Sequence, residues 1–141
     1  MDQAAGYSRT PLPRKLGVVA GTRTLLVGAP GGFDLGDVPG AHVHRRAGRS
    51  AYDVVVLFAP DRATLVRRFD AARSRITVAG AVWVCWPKRA SGVPSDLDDN
   101  VVRHHGLTHG MVDVKVAAVD ETWSAVKFVV RLRDRVARNT S

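Results

Sequence analysis

The 141-residue sequence lacks the features that mark several classes of protein. It has one cysteine, Cys85, so no disulfide can form within the chain, and this fits a reducing compartment. No segment approaches the roughly 20 consecutive apolar residues of a membrane helix, and residues 1–15 have no apolar core of the signal-peptide type. We therefore expect a cytoplasmic protein without membrane association. Its length predicts one domain, 1–141, with flexible ends at 1–9 and 133–141.

The sequence also lacks the motifs of common nucleotide-binding and hydrolytic sites. It has no Walker loop and no Gly-x-Ser-x-Gly nucleophile turn. The segment GAPGGF, residues 28–33, resembles a phosphate-binding loop, but its third position is Pro30, which has no N–H to donate to a phosphate. This favours a simple turn after a strand, followed by at most about one turn of helix.

Aromatic residues are scarce, at 6%, while basic residues are abundant. The 21 Lys and Arg exceed the 13 Asp and Glu, which gives a net charge of +8. A basic surface favours anionic partners. The arginines are scattered along the chain, and few aromatic side chains are left for base stacking, so nucleic-acid binding is the less favoured interpretation.

Apolar runs alternate with amphipathic segments in an order typical of an α/β protein. We predict buried strands at residues 24–27, 53–59 and 81–86, a short edge strand at 41–46, and helices at 10–17, 61–76 and 95–105. The expected helix N-caps are Thr10, Asp61 and Ser95. Two further strands, 112–119 and 125–132, are joined by a link that permits only an antiparallel hairpin.

These elements predict a three-layer α/β sandwich with helices on both faces of the sheet. The sheet is mainly parallel and Rossmann-like, has about six strands, and ends in a C-terminal antiparallel hairpin.

The candidate ligand site follows the central strand. Ligands bind beyond the carboxyl ends of parallel strands, and the loop in that position carries a set of basic, hydroxyl and glycine residues next to an indole. These predicted ligand-binding residues are Trp86, Lys88, Arg89, Ser91 and Gly92. They suit an anion, with the indole available to stack on a base. The alternative is a solvated basic turn with Trp86 in the core.

Other polar residues are better explained by structural roles than by metal binding or catalysis. His105 and His109, and likewise His42 and His44, have ligand-like spacing, but no acidic or cysteine ligand accompanies either pair, so no metal site is predicted. The acidic pair Asp120–Glu121 lies in the hairpin link, where carboxylates usually fix turn geometry. No catalytic residue and no cofactor is predicted.

Several blocks of the sequence carry a resemblance to known proteins. Five blocks within residues 6–131 resemble a family of small actinobacterial proteins classed as a domain of unknown function. These blocks are GYSRTPLPRKLG, LLVGAP, WVCWPKRASGVPSDL, VVRHHGL and VDVKVAAVDETWSAVKFVVR. That family has no established activity, so the resemblance implies no reaction.

The predicted architecture is also similar to the C-terminal half of methyltransferases that use S-adenosylmethionine. The resemblance implies an acid and a Gly-x-Gly turn after the first strand, and a second acid after strand two for the ribose. This chain departs at each point, with Val27 in place of the first acid, Pro30 in the glycine turn, and Arg45–Arg46 in place of the ribose acid.

These departures favour a non-catalytic, methyltransferase-like module that binds a small anionic or nucleotide-like ligand, or a protein partner. One alternative is an unorthodox S-adenosylmethionine-dependent methyltransferase, and a second is a nucleic-acid-binding protein. Whether the chain is an enzyme, and its oligomeric state, stay open at this point.

Overall fold

A computed structural model of the protein describes residues 10–131 and residue 134. The predicted flexible ends lie outside the described residues, apart from residue 134. The described part contains one six-stranded sheet in the order β2-β1-β3-β4-β6-β5. Its strands are β1 Arg23–Val27, β2 His42–His44, β3 Tyr52–Phe58, β4 Ile76–Pro87, β5 Met111–Ala118 and β6 Trp123–Val130.

Strands β1 to β4 are mutually parallel, and β6 runs antiparallel to both β4 and β5. The helices are α1 Leu12–Leu16, α2 Arg62–Ser74 and α3 Asp99–Thr108. The α/β sandwich with a mainly parallel Rossmann-like sheet of six strands and a closing hairpin is confirmed.

Both faces of the sheet are buried, but by different kinds of structure. On one face, α2 and α3 pack through Leu65, Phe69 and Val102 against the sheet. On the other face, α1 contributes Leu16, and an irregular segment contributes Phe33. That second cover is thinner because residues 28–41, which connect β1 to β2, contain no helix. This agrees with the prediction of at most about one turn of helix in this segment.

Helix α2 begins as the sequence predicts and ends earlier. The Asp61 side chain accepts a hydrogen bond of 2.8 Å from the backbone N–H of Thr64, which confirms Asp61 as the N-cap. Ile76, expected on the apolar face of this helix, instead begins β4. Its side chain is 2% exposed in the same core, so burial in a strand satisfies the same hydrophobic requirement.

Strand β4 is the longest strand and lies between β3 and β6. Residues Ala81 to Trp86 are all buried, as predicted for a central strand. Gly80 lies beside a register shift between β3 and β4, and a Cβ there would lie 3.0 Å from the carbonyl oxygen of Asp53. Glycine is required at this position because the two backbones approach so closely.

Two predicted helix starts are wrong. The N-cap position of α1 is Pro11, not Thr10, and it makes no side-chain cap hydrogen bond. Helix α3 begins at Asp99 after an N-cap at Asp98, whose side chain accepts from the Val101 N–H at 2.8 Å, so it starts later than the predicted cap, Ser95. The Ser95 hydroxyl donates to the carbonyl oxygen of Pro60 at 2.8 Å and accepts from the Leu97 N–H at 3.1 Å, so it fixes a turn that precedes the helix.

Candidate functional site at the carboxyl edge

The carboxyl ends of the four parallel strands define one edge of the sheet, here called the carboxyl edge. Strand β1 lies between β2 and β3, so the direction of strand addition reverses there. In open α/β sheets a crevice forms at such a reversal and is the usual place for a ligand. In this chain the reversal, where such a crevice is expected, lies between the end of β1 at Val27 and the end of β3 at Phe58.

An arginine from α2 lies over this crevice. Gly28 follows β1 with φ of +69°, and a Cβ placed on it would lie 3.2 Å from Nη1 of Arg68 and 3.2 Å from the carbonyl oxygen of Phe58. Among the residues that the structure describes, no carboxylate pairs with Arg68. Arg68 therefore lies against the backbone at Gly28, and its guanidinium has no carboxylate partner in the described part of the chain.

The N-terminus of α2, at the same edge, is already occupied by carboxylates of the chain itself. Asp61 caps the Thr64 N–H, and the Asp96 side chain accepts from the Arg62 N–H at 2.8 Å. Hydrogen bonding by the Thr64 side chain and then its backbone, helped by the charge of Arg67, lowers the pKa of Asp61. Both carboxylates use helix amides that would otherwise attract a phosphate.

The predicted ligand-binding loop continues from β4 at this edge. Its first residue, Lys88, is half-buried, and its backbone N–H donates to the carbonyl oxygen of Thr122 at 2.8 Å. A short 3₁₀ turn, Arg89–Ser91, follows and ends at Gly92 with φ of +77°. Arg89 is exposed, and the space around Gly92 is open within 4 Å of a Cβ position.

The Ser91 hydroxyl supports this loop. It donates to the carbonyl oxygen of Lys88 at 2.6 Å and accepts from the Val93 N–H at 3.2 Å. These bonds hold the turn in shape, so we assign Ser91 to positioning the loop that carries Lys88 and Arg89.

Trp86 is only 6% exposed and packs in the core beneath α2 and α3. It is therefore not available to stack on a base in this conformation. The aromatic residue at the carboxyl edge is Trp123, which pairs with Pro87 and is half-buried against Phe58 at a centroid distance of 5.1 Å. The sequence places Trp123 in the hairpin link, but the predicted ligand-binding residues did not include it.

The hairpin link lies at the carboxyl edge, as expected. Asp120 accepts hydrogen bonds from the N–H groups of Thr122 and Trp123, at 2.8 and 2.9 Å. Its carboxylate therefore fixes the turn, as the sequence analysis favours. Burial, with a smaller contribution from the charge of Asp120, raises the pKa of the Cys85 thiol far above its ordinary value. Cys85 is fully buried, so the thiol is protonated at neutral pH.

The histidines are explained by packing. The rings of His105 and His109 stack at 3.9 Å, and Nδ1 of His109 donates to the carbonyl oxygen of His105 at 2.7 Å. Burial first, and then the proximity of His109, lowers the pKa of His105. His42 and His44 lie on the edge strand β2. Within residues 10–131 and 134, no three His, Cys, Asp or Glu side chains come together as metal ligands.

None of the helices in the described part of the chain has the length and apolar character needed to span a membrane.

Comparison with known proteins supports the fold but no specific activity or ligand. Searches of protein-family models and of curated proteins return no match. Solved structures match at the level of the fold, among them two methyltransferases. A putative methyltransferase from Thermoplasma acidophilum has a TM-score of 0.52 and 12% identity, and the alignment covers 89% of this chain and 76% of that one. The tRNA methyltransferase TrmK from B. subtilis has a TM-score of 0.51 and 10% identity, over 92% and 69%. This chain has a methyltransferase-like fold.

Proposed function

We propose that this protein is a non-catalytic, methyltransferase-like module that binds a small anionic or nucleotide-like ligand at the carboxyl edge. The observation that carries the proposal is the Arg68 guanidinium beside Gly28, at the strand reversal, without a carboxylate partner in the described chain. Lys88 and Arg89 follow β4 at the same edge and add positive charge. A phosphate or carboxylate would accept hydrogen bonds from the Arg68 guanidinium, whose charge no carboxylate of the described chain balances.

The chemistry of the same edge argues against S-adenosylmethionine as the ligand. That cofactor carries a positive sulfonium group and a ribose diol, and in the methyltransferases that the chain resembles both acidic positions serve to hold it. Here Val27 ends β1, Arg45 follows β2, and Pro30 interrupts the glycine turn. Two acids at this edge, Asp61 and Asp96, are already bonded to amides of α2.

An unorthodox methyltransferase is the second candidate, and the fold of the two solved neighbours is the observation in its favour. Binding of nucleic acid is the third. It draws support from the net charge of +8, and it predicts an affinity that falls steeply with salt because phosphate contacts release counterions. A protein partner at the Lys88–Gly92 loop is a further form of the leading proposal.

The proposal is tested by thermal unfolding with inorganic phosphate, pyrophosphate, AMP and ATP as probes. A probe at about 100 times its dissociation constant adds roughly 2.7 kcal/mol to the free energy of unfolding. We expect at least one probe to stabilise the wild-type protein, and Arg68→Gln and the double variant Lys88→Ala/Arg89→Ala each to lose that stabilisation.

The matched control is Arg75→Gln, which removes an arginine at the opposite end of α2. Without probe, Arg68→Gln and Arg75→Gln, which change exposed side chains, should each unfold within about 0.5 kcal/mol of wild type. Retained stabilisation in both the Arg68 and the double variant contradicts the assigned site. Unfolding of the double variant without probe means that Lys88 and Arg89 are structural.

A further inference from the structure

A cleft lies on the face of the sheet that α1 covers, next to Arg45 at the carboxyl end of β2. It has a volume of about 570 Å³, within the usual range for small-molecule pockets of roughly 300–1,000 Å³. Its floor comes from Leu26 of β1 and Val43 of β2, and one wall is the irregular segment 33–38. The cleft exists because the connection from β1 to β2 contains no helix to cover these strands.

The floor of the cleft is apolar and partly open, and its wall carries apolar residues together with Asp34 and Asp37. Val43 is 40% exposed, although it lies in the sheet and its neighbour Leu26 is buried. Phe33 is 9% exposed and packs edge-on against Phe58 at 4.8 Å, so it anchors the wall. The exposed apolar surface at Val43 favours a ligand with an apolar group of modest size.

Side chains of opposite charge also line the cleft, beside this apolar floor. Arg45 follows β2, and its Nη2 donates to the carbonyl oxygen of Phe33 at 3.3 Å, which leaves the other guanidinium N–H groups available. On the segment that forms the wall, Asp34 accepts from the Gly36 N–H at 2.9 Å. Asp37 also lines the cleft and is exposed, and within the described chain no group pairs with its carboxylate.

We propose that this cleft binds a free α-amino acid with an apolar side chain. Arg45 binds the α-carboxylate, since a guanidinium presents paired donors to a carboxylate. Asp37 accepts hydrogen bonds from the α-ammonium, and the side chain of the ligand lies over Leu26 and Val43. This site is separate from the anion site proposed above and shares no residue with it.

The test is a titration of the ¹⁵N-labelled full chain with L-leucine, followed by NMR, at concentrations up to about 10 mM. We expect saturable shifts in the backbone amides of residues 33–38 and 41–45. Two derivatives remove one charge each without changing the protein. L-leucine methyl ester lacks the carboxylate, and N-acetyl-L-leucine lacks the ammonium, so each should bind at least about tenfold more weakly.

Two substitutions provide the complementary test. Arg45→Gln and Asp37→Asn should each weaken L-leucine binding by at least about tenfold, while Arg46→Gln, a neighbouring exposed arginine that does not line the cleft, should leave it unchanged. The double variant Lys88→Ala/Arg89→Ala should also bind L-leucine normally, which separates this inference from the proposed function. Equal binding of leucine and its two derivatives, shifts confined to other residues, or no saturable shift overturns it.

Discussion

We expect Gly106→Ala to lower the free energy of unfolding, although alanine is the better helix former. Gly106 lies inside α3 where that helix crosses β6. A Cβ on it would lie 2.1 Å from Cε1 of Phe128 and 2.6 Å from two further ring atoms. Carbon atoms in contact are normally about 3.5–4.0 Å apart, so the overlap exceeds roughly 1 Å.

The size of the effect follows from two opposing terms. The Phe128 ring is completely buried, and Phe69 packs edge-on against it at 5.8 Å, so it has no open space into which to move. Overpacking of this kind costs about 1–3 kcal/mol, and the large overlap favours the upper end. The higher helix propensity of alanine returns about 1 kcal/mol. The net loss should be about 2 kcal/mol.

The assay is urea unfolding monitored by tryptophan fluorescence, since Trp83 and Trp86 are both buried. Gly32→Ala is the control, because a Cβ there meets nothing within 4 Å, and it should change stability by less than about 0.5 kcal/mol. Adding Phe128→Leu to Gly106→Ala should cost less than the sum of the single changes. Wild-type stability or better for Gly106→Ala would refute the packing described for α3.

Two further predictions concern titratable groups, the buried Cys85 and the half-buried His105. Burial raises the pKa of the Cys85 thiol, so this thiol should not react with a thiol reagent in the folded protein and should react fully in denaturant. Reaction of the folded protein at a rate comparable to that of the denatured protein would contradict the burial of Cys85. The pKa of His105 is lowered in the folded state, so the unfolded chain protonates first, and stability should fall as the pH drops below about 6.5. His105→Leu should reduce this loss of stability, measured as urea midpoints from pH 7.5 to 5.5. An unchanged dependence of the midpoint on pH would assign the loss to other titratable groups.

Much of the fold is predictable because local signals and tertiary structure agree. Continuous apolar runs mark β3 and the second half of β4 as strands buried on both faces, and these strands are central in the sheet. Asp61 is both the best local cap and the observed one. The short link between β5 and β6 allows only the antiparallel hairpin that forms.

The errors occur where a partner distant in sequence decides the local structure. Ser95 has the composition of a cap, but its hydroxyl bonds to Pro60, 35 residues away, and Asp96 bonds to an amide of α2, 34 residues away. Gly80 suggests a break before the central strand, yet β4 runs through it because the backbone of β3 lies close by.

The candidate site is predictable only in part, for the same reason. The carboxyl edge and the loop from Lys88 to Gly92 follow from strand order and sequence. The position of Arg68 over Gly28 does not, because it depends on how α2 packs across the sheet. The burial of Trp86 also depends on packing, since both α2 and α3 cover that side of β4.

The central claim is that the carboxyl edge has lost the site for S-adenosylmethionine and presents positive charge to an anion. Isothermal titration calorimetry of the wild-type protein with S-adenosylmethionine, S-adenosylhomocysteine and AMP tests this directly. The account predicts no binding of either S-adenosyl compound at micromolar concentrations, and binding of AMP that is lost in Arg68→Gln. Micromolar affinity for S-adenosylmethionine or S-adenosylhomocysteine would contradict it and favour a methyltransferase.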